Sequence, residues 1–190
     1  MKKIETNLLD CYIIEPDKFG DDRGYFSPYF IQNNFDELGF DRVVQASRSK
    51  SAKGVLRGLH FQKDPKNQAK IVEVISGKAI DVVVDMREDS DTFGKWTSVL
   101  LTSDNNRQLY VPHGFAHGFI SLEDDTIFQY LNDNDYAPDL EGGIIWNDPE
   151  IGIEWGNIFK EYNIDNPLLS DKDQLHPTLS KSKVRFRRSK

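Results

Sequence analysis

A chain of 190 residues can bury a substantial core and is most simply one domain, 1–190; its net charge of −7 argues against a nucleic-acid-binding domain. No apolar run is long enough to span a membrane and no charged-then-apolar signal segment follows Met1, so a cytoplasmic protein is expected. The one cysteine, Cys11, has no partner for an internal disulfide and reads as an ordinary strand residue.

In chain order, the first element is a helix near Ile31 to Leu38, stopped by Gly39. A strand follows at Gly54-Val55-Leu56-Arg57-Gly58-Leu59-His60-Phe61-Gln62. Strand alternation puts Leu56, Gly58, His60 and Gln62 on one face and Arg57, Leu59 and Phe61 on the other. Lys70 to Asp85 contains two apolar runs around Ser76-Gly77-Lys78 and reads as a hairpin. Its second run, Ile80 to Val84, is nearly continuous β-branched material. Trp96 to Leu101, Arg107 to Val111, Phe115 to Leu122 and Thr126 to Leu131 extend the series, with polar breaks between them. A second helix is expected after Ser170. Short strands at regular spacing predict an all-β protein, an antiparallel sandwich or barrel. Residues 181–190 carry six basic side chains and no acidic one, leaving −13 on the rest, and read as a flexible or packed terminal segment.

Two segments carry histidines between glycines and aromatics. The first holds His60; the second is Pro112-His113-Gly114-Phe115-Ala116-His117-Gly118-Phe119. Glycine inside a strand marks a bulge or a close approach, so both segments suit the wall of a pocket. A lone histidine on such a strand is more often a satisfied core residue; two segments together suggest two halves of one site.

The spacing resembles the two motifs of the cupin superfamily: Gly54 leads to His60, and Pro112, Gly114 and His117 fill the second pattern. Where metal-binding cupins have a second histidine this chain has Gln62, and where they have a glutamate it has Asn67 and Gln68. Neutral amides are poor ligands for a divalent transition metal, so no metal is expected and His60 is left free to move protons.

A narrower resemblance covers about residues 15 to 175. Phe19 through Phe26, Gly54 through Gln62, Lys70-Ile71-Val72, Thr92 through Trp96, Gln108 through Phe119, Glu141 through Asp148, Gly152 through Trp155 and Leu169 through Asp173 together look like the dTDP-4-dehydrorhamnose 3,5-epimerase family. The resemblance implies a cupin-type jelly roll and a cofactor-independent enzyme. Its substrate would be a dTDP-linked 4-keto-6-deoxyhexose inverted at C3 and C5, on the way to dTDP-L-rhamnose. It further implies His60 as base, Asp173 holding its imidazole, Lys70 beside the C4 oxygen and Tyr130 as the acid on the opposite face. On local pattern alone Asp173 reads equally as a cap, Lys70 as a solvated charge and Tyr130 as a strand aromatic.

For the rest of the substrate, the resemblance implies Arg23 and Arg57 on the pyrophosphate, Phe26 on the pyrimidine, and His117 and Tyr136 around the sugar. Arg23 and Phe26 would come from the neighbouring subunit of a homodimer. The chain departs from the family at Ser27-Pro28, at Ala46-Ser47-Arg48 and at His113, so Gln45 and Arg48 are expected to share the nucleotide contacts. Other readings are an enzyme acting at one carbon only or a keto-isomerase, a sugar-binding cupin without activity, and a metal-dependent cupin.

Overall fold

In the computed structural model, which describes residues 1–188, the chain alternates short strands with turns. The strands are β1 (Lys2–Glu5), β2 (Tyr12–Glu15), β3 (Phe19–Asp21), β4 (Gly24–Phe26), β5 (Gln45–Ser51), β6 (Leu56–Gln62) and β7 (Lys70–Ser76). They continue as β8 (Lys78–Asp85), β9 (Trp96–Thr102), β10 (Gln108–Val111), β11 (Phe115–Ser121), β12 (Thr126–Asn132) and β13 (Glu141–Gly143). Two short helices, α1 (Gln32–Asp36) and α2 (Trp155–Glu161), complete the set, and among the described residues no helix is long and apolar enough to cross a membrane. A six-stranded sheet runs β1-β2-β10-β7-β12-β5 and a five-stranded sheet β13-β6-β11-β8-β9, with β3-β4 as a separate hairpin. All these pairings are antiparallel, and the two sheets face each other in the cupin-type arrangement.

The continuous apolar run of β8 follows from cover on both faces. Ala79 and Val83 point between the sheets, with Val72, Val74, Leu109, Phe119 and Phe128. Ile80, Val82 and Val84 point the other way, under a layer that includes Trp155 of α2, Leu179 and Phe186. The outer face of the larger sheet is covered by Phe35 of α1 and Phe40, which pack on Ile14, Ile71 and Tyr110. Helix α1 ends as its sequence predicts: Gly39 takes φ +84°, and the Phe40 amide donates back to the Phe35 carbonyl at 3.0 Å.

Three details differ from the sequence expectation. Strands β7 and β8 are not a hairpin, for β7 pairs with β10 and β12 while β8 pairs with β11 and β9. Only Gly77 separates them, and a single residue turns a corner between sheets where a hairpin loop commonly uses two or more. No helix follows Ser170; the segment is a string of turns. The second helix is instead α2, whose Trp155, Ile158 and Phe159, with Tyr162 just beyond it, pack on the outer core. The basic segment is packed as far as it is described, with Phe186 buried; Lys190 lies outside the described residues.

Candidate active site

The strand that carries His60 breaks the simple alternation. His117 pairs with His60 and Phe119 with Arg57, so two steps along β11 face three along β6, which is a bulge. Gly58 makes it possible: its φ is +132°, and a Cβ there would lie 2.6 Å from Gly118 Cα. Leu56, Leu59 and Phe61 consequently face the outer core, while Arg57 and His60 face one cavity. Strict alternation would have separated Arg57 from His60.

That cavity, about 390 Å³, lies between the sheets and is lined by His60, Asp173, Lys70, Tyr130, Arg57, His117 and Tyr136 among others. His60 Nε2 meets Asp173 Oδ1 at 2.5 Å. Burial raises the Asp173 carboxyl, but the hydrogen bond and charge of His60 and the Ser170 hydroxyl outweigh it and hold the group below its usual value. The Asp173 amide does donate to Ser170 Oγ at 3.2 Å. Half of a capping box is therefore present without a helix, and the carboxylate is spent on His60.

His117, in the cavity wall, makes a second histidine–carboxylate pair that the motifs do not reveal. His117 Nε2 and Asp81 Oδ1 are 2.7 Å apart, both buried. Burial raises the Asp81 carboxyl against the pull of His117 and Lys70, and Asp81 Oδ2 has no hydrogen-bond partner. Lys70, at the start of β7, is pulled down from 10.5 to about 8 by burial, with Asp81 and Glu141 acting the other way. Tyr130 reaches in from the opposite sheet, its ring 6.2 Å from that of His117 at 81°. Burial pushes its phenol up to about 12 while the Ser49 hydroxyl, 3.3 Å away, pulls the other way.

At the rim, the Tyr136 hydroxyl donates to Glu141 at 2.5 Å and Lys172 pairs with the same carboxylate at 2.5 Å. Gln45 is outside the cavity lining; its Oε1 accepts from the Tyr136 amide at 2.7 Å and so fixes the segment that carries the tyrosine. Gln62 does the same from below, accepting from the Ala137 amide at 2.8 Å and donating to the Asp135 carbonyl at 3.0 Å. With its amide committed to this loop, and His117 to Asp81, the donor set does not fit the metal of a metal-binding cupin.

Arg23 and Phe26 stand apart from the cavity on the exposed β3-β4 hairpin, Arg23 paired with Asp21 and Phe26 69 % exposed. Arg48 donates to Gln129 at 2.9 Å and lines a separate cavity with Glu73. His113 pairs with Asp133 at 2.8 Å, also away from the main cavity. Sequence reasoning passed over Asp81, Ser49, Glu141, Lys172 and His176. Of these Asp81 had a signal, an aspartate inside a valine-rich run.

A family model described as dTDP-4-dehydrorhamnose 3,5-epimerase matches residues 5–181. The chain is 48 % identical over 175 residues to the dTDP-4-dehydrorhamnose 3,5-epimerase of Shigella flexneri, spanning 91 % of this chain and 93 % of that one. The crystal structure of dTDP-4-dehydrorhamnose 3,5-epimerase from Elizabethkingia anophelis NUHP1 is similar at a TM-score of 0.89 and 44 % identity, over 97 % of this chain and 99 % of that one. The dTDP-6-deoxy-D-glucose-3,5-epimerase of Legionella pneumophila Philadelphia 1, solved in complex with dTDP-4-keto-L-rhamnose, is similar at 0.89 and 38 % identity, over 100 % and 99 % of the two chains.

Proposed function

Since the chain belongs to the dTDP-4-dehydrorhamnose 3,5-epimerase family, we propose that its inter-sheet cavity holds the 4-keto sugar of a dTDP-linked 6-deoxyhexose between a base and an acid from opposite sheets. The enzyme is an isomerase that inverts C3 and C5 of dTDP-4-keto-6-deoxy-D-glucose and gives dTDP-4-keto-L-rhamnose. Both carbons flank the C4 ketone, so loss of either proton yields an enolate with its charge on the ketone oxygen. The chemistry then needs a base, a cation near that oxygen and a proton donor across the ring.

His60 is the base. With Nε2 donating to Asp173, the other ring nitrogen is left unprotonated, and the carboxylate stabilises the imidazolium once a proton arrives. Lys70 stabilises the enolate oxygen as an ammonium. Tyr130 remains a phenol at neutral pH and delivers the new proton, with Ser49 and Arg57 easing the phenolate that results. Arg57, His117 and Tyr136 position the substrate. The observation that carries this reading is the cavity itself, which gathers His60 with Asp173 from one side and Tyr130 from the other.

The hairpin that bears Arg23 and Phe26 exposes Phe19, Tyr25 and Phe26 together, a patch that suits a partner. We assign it to the neighbouring subunit of a homodimer, reaching the partner's cavity with a guanidinium for the pyrophosphate and a ring for the pyrimidine; no nucleic acid or membrane takes part. An anionic nucleotide sugar stays in the compartment that makes it, which supports a cytoplasmic location.

Proton NMR of dTDP-4-keto-6-deoxyglucose with the protein in deuterated water, without added metal or nicotinamide, tests the assignment. Deuterium entering at both C3 and C5 is expected. Exchange at one carbon would make it a mono-epimerase, and no exchange would remove the proposed base.

A further inference from the structure

The epimerisation leaves unused one histidine that packs against the proposed base. His176 packs edge-on against His60, ring centroids 5.5 Å apart at 74°. Its Nε2 is buried with no hydrogen-bond partner. The fold makes room for it: a Cβ at Gly143 would lie 2.6 Å from that nitrogen. Ligand atoms of His60, Asp173 and His176 all lie within 4.8 Å of one another.

We propose that His60, Asp173 and His176 form a site for a divalent transition metal, best suited to Zn²⁺, and that filling it switches the enzyme off. Two imidazoles and one carboxylate with an open fourth position are a donor set zinc takes readily. Ligand atoms around a four-coordinate zinc stand about 3.3 Å apart, given bonds of about 2.0–2.1 Å. The His60–Asp173 pair therefore opens from 2.5 Å, and the widest pair, within 4.8 Å, closes by at most about 1.5 Å. Asp173 and His176 ride on a segment of turns rather than on a strand, which can make that adjustment. The ion takes the place of the proton between His60 and Asp173, and His60 binds it as a neutral imidazole, so that proton moves through solvent to the other ring nitrogen. With Nε2 on the ion and the other nitrogen protonated, His60 has no lone pair left to take a proton from the sugar. The site is distinct from the metal position of metal-binding cupins, whose second ligand is here Gln62.

The inhibition rests on His60 being the base; the binding does not. Metal-free protein is titrated with Co²⁺ and followed by visible absorption, then with Zn²⁺ to displace it, and turnover is assayed across the same Zn²⁺ range. The expected result is one equivalent of strongly absorbing, low-coordinate Co²⁺ displaced by Zn²⁺, with turnover falling as the site fills. In His176→Ala the affinity should drop at least about tenfold, since even groups one step removed from a metal are worth that much. His176→Gln, which keeps bulk and polarity, should behave alike and guards against a folding artefact. Only the faint spectrum of hydrated Co²⁺, or bands unchanged in both variants, overturns the site and leaves the base assignment standing. Binding lost in the variants but with full turnover at saturating Zn²⁺ in the parent overturns the inhibition and the role of His60 with it.

Discussion

Asp81 occupies a position where a strand covered on both faces should carry an apolar side chain, and its carboxylate keeps one oxygen unpaired. A cost of that kind is retained where it orders something else, here His117 and the field around Lys70. His60 and His117 were legible because they sit in spaced motifs and Lys70 through the family resemblance, whereas Asp81 and Ser49 belong to no motif and come beside them only through pairing of distant strands. The Lys70 field has a kinetic consequence. In the proposed mechanism its ammonium is the form that holds the enolate oxygen, and burial lowers its pKa to about 8; below that pH the cation is present, and above it the lysine is neutral. We expect kcat/KM to fall as pH rises through about 8, and Lys70→Arg, charged at all these pH values, to lack that limb in whatever activity it keeps. A parent profile flat from about pH 7 to 9.5 would contradict this. Tyr130→Phe should retain exchange of the sugar's α-protons with deuterated solvent while product formation slows by about 10²-fold or more; product formed at the parent rate takes Tyr130 out of the acid's role.

Strand β6 shows how a local irregularity decides which groups meet. Without the extra residue at Gly58 and Leu59, Arg57 would face the outer core, and the cavity would lose its guanidinium. Gly58→Ala places a methyl within overlap distance of Gly118 at φ +132°. We expect a loss of about 1–3 kcal/mol from backbone strain alone, read from urea unfolding midpoints, together with reduced turnover; an unchanged midpoint would show that the strand re-forms without the bulge. The bulge was not readable because alternation assumes an unbroken ladder. Strands β9 to β12 were readable, since polar turns bracket their apolar runs. Helix α2 was missed although Trp155, Ile158, Phe159 and Tyr162 have helical spacing: seven residues are too few for periodicity to stand out, and so short a helix is held by packing.

The sheets assemble from pairs distant in sequence, such as β5 with β12 and β2 with β10, so their order could be expected only from the family resemblance. At this scale the proposed sharing of sites between subunits is directly testable. Arg23→Ala and His60→Ala should each be nearly inactive as homodimers, but co-expressed they form mixed dimers with one intact site, restoring roughly a quarter of the sites; no recovery would place Arg23 outside the partner's cavity. The far end of the chain is also built in. Phe186 inserts beside Phe61 at 5.4 Å, its carbonyl accepts the Glu88 amide at 3.0 Å, and Gly114 lacks the Cβ that would strike it. The ribosome makes residue 61 long before residue 186. At roughly 5–20 residues per second, the socket formed by Phe61, Arg87 and Gly114 waits several seconds or more for its plug. The outer core therefore closes only once residue 186 has been made, and a chain cut short just before Phe186 would keep the residues of every strand and leave a hole where the ring belongs.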